Sequence, residues 1–246
     1  IGKLDFYYEF CAMSLKMPVY ASRVTSLSDA RFFAAMGVQY IGICADPGSA
    51  DYYSPERFRE IAGWITGPEF VIEAEGLVET KDLCGVLRGL SEPLPLRNFL
   101  RVTERIMPND AIRDLAFHSK AKTPLNTLHA LMGNLSSSLK YELGSTHVQT
   151  SAAEALSQGK GVCQDYAHIF IAAARVLELP ARYVNGYFLI TGSQDPSYAH
   201  HGWAEAWVEG LGWVGFDATN LSCPTDQYVR LATGLDAQSA APIRGT

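Results

Sequence analysis

Apolar residues recur along the chain with different periods, and each period predicts a different kind of element. Leu4, Phe6 and Tyr8 alternate within residues 1–12 and predict a strand. Val19-Tyr20-Ala21 reads as a second, short strand. Ser28-Asp29 opens a helical stretch, Ala30 to Met36, with the serine as N-cap and Gly37 as its stop. Tyr40 to Cys44 is a buried strand. Ser54-Pro55-Glu56 opens a helix running through Trp64, with proline at the first helical position, where no N–H is missed.

Beyond residues 71–76 the texture changes. Leu90 to Leu96 is a proline-punctuated connector into helical segments. Ala111, Leu115 and Phe117 lie near helical spacing between Asp110 and Lys120, and Leu125, Leu128, Leu131, Met132 and Leu135 repeat the pattern. Gly144 to His147 marks a loop, and Ser151 with Glu154 forms a capping box. The run Ile169 to Ala174 predicts a buried helix beginning near Cys163 and ending before Pro180. Three alternating strands follow, 182–190, 203–209 and 213–216, with a hairpin turn at Gly210-Leu211-Gly212. Helices followed by an antiparallel sheet predict an α+β fold, preceded by a partial β/α unit. The expected organisation is an unassigned strand over 1–12, a β/α fragment over 13–75 that makes a fresh start at Met13, and one larger domain over 76–246.

Composition narrows the function classes. Of 246 residues, 48% are hydrophobic and 19% charged, which is ordinary for a globular protein. The net charge of −6 comes without a basic run, so nucleic acid is not an expected partner. No apolar stretch approaches the ~20 residues of a membrane helix, and Ile1 to Asp5 lacks the character of a signal peptide. Five cysteines, at 11, 44, 84, 163 and 223, are scattered and form no CxxC pair. That speaks against a disulfide framework or a four-cysteine zinc site and for mostly free thiols in a reducing compartment, the cytoplasm by default. Cys44 reads as a core thiol. No metal or cofactor is expected, and no carboxylate cluster suited to calcium stands out.

Chemistry gathers at Gly159-Lys160-Gly161-Val162-Cys163-Gln164-Asp165-Tyr166-Ala167-His168. A thiol at a helix start meets unpaired N–H groups and the positive end of the dipole, which favour the nucleophilic thiolate. The bland alternative is a small packed hydrophobe. His201 follows Cys163 by 38 residues, and Asp217 follows His201 by 16. A hairpin turning near residues 210–212 pairs positions whose numbers sum to about 421, with Glu205 opposite Phe216 and His201 within a few residues of Asp217. An imidazole beside the thiol can take and return its proton, and a carboxylate behind the ring can fix its tautomer. His200 is adjacent, and strand neighbours point to opposite faces, so only one of the two histidines can meet the thiol. Asp165 is expected to satisfy local N–H groups. His118, His129 and His168 read as surface or packing residues. Trp203 and Trp213 read as core, Trp203 also as a shield for the imidazole. The backbone N–H of Cys163 is the one nameable oxyanion donor.

Two resemblances accompany this reading. Residues 76–246 resemble a bacterial transglutaminase-like domain, related to papain-like thiol enzymes, through Gly161 to His168, Ala181 to Tyr187, His201-Gly202-Trp203 and Gly212 to Asn220. Gly202 replaces the family's alanine, a change expected to be harmless, and Ala218 replaces its proline. The resemblance implies Cys163 as nucleophile, His201 as general base and acid, and Asp217 as orienting carboxylate. It also implies a thiol acyl-transfer enzyme, a cysteine protease or amidase acting on a protein or peptide, with a non-catalytic module of the same fold as the alternative. Residues 17–75 resemble the opening units of phosphoribosylanthranilate isomerase, through Arg23 to Arg31, Gly37 to Gly42 and Tyr53 to Glu56. The family's catalytic cysteine is absent from Ala21-Ser22, and so short a segment supplies about a quarter of a barrel, so isomerase activity is not expected. That fragment stands where most bacterial members of the first family carry a β domain, and Ala241 to Thr246 resembles a stretch that members continue with more strands. The chain therefore reads as a composite of two unrelated pieces.

Overall fold

A computed structural model describes residues 20–21, 24–44, 47–65, 67–72, 78–90, 92–190 and 197–241. The strand expected over 1–12 lies outside these residues. The chain divides into two compact units, 1–77 and 78–246.

In the first unit, β1 (Tyr20–Ala21), β2 (Tyr40–Ile43) and β3 (Glu69–Ile72) form a parallel sheet in the order β1-β2-β3. The connections are α1 (Leu27–Ala35) and α2 (Pro55–Trp64). Helix α2 has the predicted bounds, capped by Ser54. Helix α1 starts earlier than expected because Ser26, not Ser28, is its cap. Ser26 has extended backbone angles, its Oγ accepts from Asp29 N at 3.0 Å, and it donates to the Asp29 carboxylate at 2.7 Å. Ala30, Ile41, Tyr53 and Ile61 close the core of this unit, with the half-buried Ile43 packed against them, and Cys44 is half-buried.

The second unit is α+β. Its elements are β4 (Val86–Leu87), α3 (Asp110–His118), α4 (Pro124–Ser138), β5 (Lys140–Tyr141), α5 (Ala152–Gln158), β6 (Lys160–Gly161), α6 (Cys163–Val176), β7 (Ala181–Ile190), β8 (Ser197–Val208), β9 (Gly212–Phe216) and β10 (Tyr228–Gly234). The last four and β4 make one antiparallel sheet in the order β10-β7-β8-β9-β4. Strands β4 and β10 were not anticipated.

Helix α6 is the hub. Ile169, Phe170, Ile171, Ala173 and Ala174 are fully buried, and its alanines let Ala204 and Ala206 of β8 pack into the same core. The opposite face of the sheet carries a charged network. Glu205 accepts from Arg182 and from Arg230, each at 2.7 Å, and the Arg182 guanidinium lies 3.8 Å from the Trp213 ring centre. Because Arg182, Glu205 and Arg230 sit on β7, β8 and β10, shifting any one strand would leave a buried charge without its partner.

The register of the β8–β9 hairpin corrects the expectation by one residue. Ala204 faces Phe216, and Glu205 faces Gly215. The connection is three residues between Val208 and Gly212, closed by Leu211 N–H to Val208 O at 3.0 Å. Gly210 sits at φ 80°, the left-handed position such a loop needs.

Candidate active site

Cys163 is the first residue of α6, half-buried at the helix N-terminus. Val162, before it, has no side-chain acceptor to cap the helix. The first turn is secured from within instead: Asp165 Oδ2 accepts from Val162 N–H at 2.8 Å and from Thr146 Oγ1 at 2.6 Å. This is the local backbone role expected of Asp165. It also explains Gly161, where a Cβ would stand 2.8 Å from the Asp165 carboxylate. Burial pushes the Asp165 carboxyl upward against the pull of its Thr146 and Val162 donors.

His201 lies on β8 and Asp217 directly after β9, and the two meet. His201 Nε2 and Asp217 Oδ2 are 2.7 Å apart, with His201 7% and Asp217 1% exposed. The Cys163 thiol lies close enough to the His201 ring to strengthen its hold on a proton. Since Nε2 serves the aspartate, Nδ1 is the nitrogen that remains for the sulfur. Burial lowers the imidazole's affinity for a proton, but the hydrogen bonds and charges of Asp217 and Cys163 outweigh it and lift the pKa to about 9. All three predicted residues are thus brought together, in the order thiol, imidazole, carboxylate.

The choice between adjacent histidines is decided by the pleat. His200 is exposed, with Nε2 at 2.8 Å from Asn185 Oδ1 and its ring edge-on to Tyr187. Burial and the neighbouring His201 lower its pKa. His201, on the other side, is enclosed by Phe188, Trp203 and Tyr228, with the Trp203 ring nearly parallel to it at 6.2 Å. Trp203 therefore shields the imidazole as well as filling the core. His168 is structural, as expected. It is fully buried, accepts the Ala237 N–H at 3.0 Å, and burial drops its pKa to about 4.

Three residues escaped the sequence reading, and all hold Asp217. Thr219 N and Asn220 N donate to Oδ1 at 3.0 and 3.2 Å, while Asn220 Nδ2 and the Tyr228 hydroxyl donate to Oδ2, each at 2.8 Å. Burial alone would raise this carboxyl, yet His201, Tyr228 and Asn220 bring it below the usual value. The Asp-x-Thr-Asn spacing is that of an Asx turn and was a readable signal for the two amides. Nothing local signalled Tyr228, which arrives from β10.

Glycine at 202, expected to be a harmless replacement for alanine, occupies a position with no room for a side chain. A Cβ on Gly202 would collide with the Tyr183 hydroxyl. Tyr183 uses the volume an alanine methyl would fill, so Gly202→Ala overpacks the site. Burial, with Cys163 and Asp165 nearby, pushes the Tyr183 phenol strongly upward.

Comparison with known proteins places the fold. Residues 113–218 match the transglutaminase-like superfamily. The α+β fold is that of transglutaminase-like and papain-like domains, and the matched residues run from α3 to the residue after Asp217. The solved structure of a candidate cysteine protease from Cytophaga hutchinsonii is 31% identical, with a TM-score of 0.51, over 66% of this chain and 55% of that one. An uncharacterized protein of Mycobacterium leprae is 37% identical over 114 residues, 44% of this chain and 40% of its own length. One from Mycobacterium bovis is 33% identical over 151 residues, 55% and 47% respectively. The chain thus spans less than half the length of these curated relatives. Among the described residues no helix is long and apolar enough to cross a membrane, and no group of three His, Cys, Asp or Glu side chains is placed to hold a metal ion.

Proposed function

We propose that the transglutaminase-like domain is a thiol acyl-transfer enzyme, a cysteine protease or amidase, with Cys163 as nucleophile, His201 as general base and acid, and Asp217 as the carboxylate that orients the ring. The observation that carries this reading is a single buried imidazole bonded to Asp217 through Nε2 at 2.7 Å, with the helix-start thiol close enough to help raise its pKa. An imidazole whose pKa stands at about 9 holds a proton at neutral pH and can hand it to a leaving amine.

In the proposed cycle, sulfur attacks the carbonyl carbon of a peptide or side-chain amide, and the carbonyl electrons move onto oxygen. The oxygen is positioned toward the Cys163 N–H at the positive end of α6. As the tetrahedral species collapses, the C–N bond breaks and His201 Nδ1–H protonates the leaving amine. Water then enters, His201 takes its proton, and hydroxide displaces sulfur from the thioester. Asp217 keeps Nε2–H pointed away from the reaction, so that Nδ1 does the proton transfer. Hydrolysis is favoured over cross-linking because water is always available and no side chain here selects an acceptor amine. The scattered thiols support a reducing, cytoplasmic setting.

A thiol-selective electrophile tests the assignment. Cys163 labels rapidly in the wild-type protein at neutral pH, Cys163→Ala abolishes that label, and His201→Ala slows it sharply while far-ultraviolet circular dichroism stays unchanged. Equal labelling of the folded His201→Ala protein would exclude the pair.

A further inference from the structure

Nothing in the spacing of the five cysteines pairs any of them, yet the fold seats the turn that carries Cys84 on Cys223, away from the proposed nucleophile. Cys84 is exposed at the tip of a turn from Leu83 to Val86, closed by Val86 N–H to Leu83 O at 3.0 Å. Cys84 and Gly85 both have positive φ, 51° and 72°, as in a type I′ turn. A cysteine in this left-handed region is unusual, since L side chains crowd the backbone there. Its own N–H is held by Asp82 Oδ1 at 2.7 Å, which fixes the tip. The turn leads into β4 at the sheet edge, and Gly85 O accepts the Gly215 N–H at 2.8 Å.

Cys223 lies beneath this turn. A Cβ on Gly85 would stand 2.8 Å from Cys223 Cβ, so the backbone next to Cys84 rests directly on the Cys223 side chain. Cys223 is half-buried and immediately follows Ser222, whose backbone pairs with that of Asp217 in both directions, at 2.8 and 3.1 Å. Burial, together with the nearby Cys84, raises the Cys223 thiol's pKa. One thiol is therefore open to solvent, the other sheltered, and their segments are already hydrogen-bonded to β9 and to the residue that follows it.

We propose that Cys84 and Cys223 form a dithiol site that closes to a disulfide when the protein meets a peroxide. The exposed Cys84 sulfur attacks one oxygen of hydrogen peroxide, the O–O bond breaks, and water leaves, giving a sulfenic acid. Cys223 sulfur then attacks the Cys84 sulfur, the S–O bond breaks, and a second water leaves. Two thiols are oxidised, one peroxide is reduced, and two waters form. The cross-link fastens the β4 turn to the loop from Asp217 to Cys223, stiffening the segment that holds the proposed orienting carboxylate. A reducing cytoplasm keeps the site open until such an oxidant appears.

The test is peptide mapping of the intact chain. Protein treated with hydrogen peroxide, blocked with N-ethylmaleimide and digested without reductant yields a cross-linked pair of peptides containing Cys84 and Cys223, two hydrogen masses lighter than their sum. The pair separates on reduction and is missing from Cys84→Ser, an exposed substitution that leaves the core intact. Oxidation also raises the melting midpoint of the wild type by several degrees, and not that of Cys84→Ser, because the bridge closes a long loop of chain. Recovery of Cys84 as a sulfinic acid, or joined to any cysteine other than Cys223, overturns the proposal.

Discussion

Asp217 and Asp165 are equally buried, each 1% exposed, yet their carboxyls are driven in opposite directions. Burial raises both. At Asp217 four donor groups besides His201 converge on the two oxygens, and the net effect is a lowered pKa. At Asp165 two donors share Oδ2 and Oδ1 has no hydrogen-bond partner, so burial wins and the pKa rises. The loop after β9 gathers donors that favour a charge, whereas the first turn of α6 uses a carboxyl as a backbone clamp. Burial alone therefore says little about a carboxyl's role, and the donor count with a neighbouring cation decides it.

The largest expected effect comes from removing the kept charge. Asp217→Asn loses turnover of a peptide-amide substrate by about 10³–10⁴-fold, the scale expected when an imidazole loses its orienting carboxylate. The same substitution tests the pH dependence. His201 is raised above its unfolded value of ~6.5 to about 9, so its contribution to stability is complete below pH ~6.5 and is lost as pH rises through about 9. Urea unfolding of the wild type weakens across that window, and the decline flattens in Asp217→Asn. Wild-type turnover in the variant, with an unchanged alkaline limb, would break the comparison at its strong end.

A smaller effect is expected at Tyr228. Tyr228→Phe keeps the ring contacts with Phe188 and Trp203 at 4.7 and 5.4 Å but deletes one donor to the carboxylate. The expected cost is about 1.5–3 kcal/mol in urea unfolding at pH 7, the range for a hydrogen bond to a charged group. Since Asp217 has a lowered folded pKa, the stabilisation it contributes is present above the unfolded carboxyl value of ~3.9 and lost as pH falls below it, so the Tyr228→Phe deficit shrinks in acid. A deficit independent of pH would mean that Tyr228 acts through packing alone.

The least effect is expected at the clamp. Asp165→Asn keeps an oxygen for Val162 N–H and Thr146 Oγ1, so stability changes by less than about 1 kcal/mol, and labelling of Cys163 stays close to the wild-type rate. Loss of labelling in a folded Asp165→Asn protein would show that this carboxyl too is used as a charge.

Much of this was legible along the chain. The bounds of α2, the capping box at Ser151 and Glu154 and the start of α6 at Cys163 follow from caps and runs of neighbouring residues, and they appear where the sequence put them. The strand β10 carried a weaker signal, Tyr228-Val229-Arg230, that passed unread. The β8–β9 register slipped by one because a turn's loop length depends on which glycine adopts φ > 0, and both Gly210 and Gly212 do. The matching of Gly202 to the Tyr183 hydroxyl had no local trace, since it joins two strands through a side chain of one and a missing side chain of the other.

By itself the sequence determined the α+β order of elements, the hub helix with its thiol at the first turn, and the identity of the residues available for acid–base work. Those are consequences of period, capping and residue type, which act over a few positions. The tertiary structure alone decided that Phe188, Trp203 and Tyr228 enclose His201 while His200 turns to Asn185, that Tyr228 and the Thr219–Asn220 amides hold Asp217, and that the turn carrying Cys84 rests on Cys223 through Gly85. These choices depend on strand pleat, register and the donors gathered around a buried atom, and such quantities exist only once distant segments share one core.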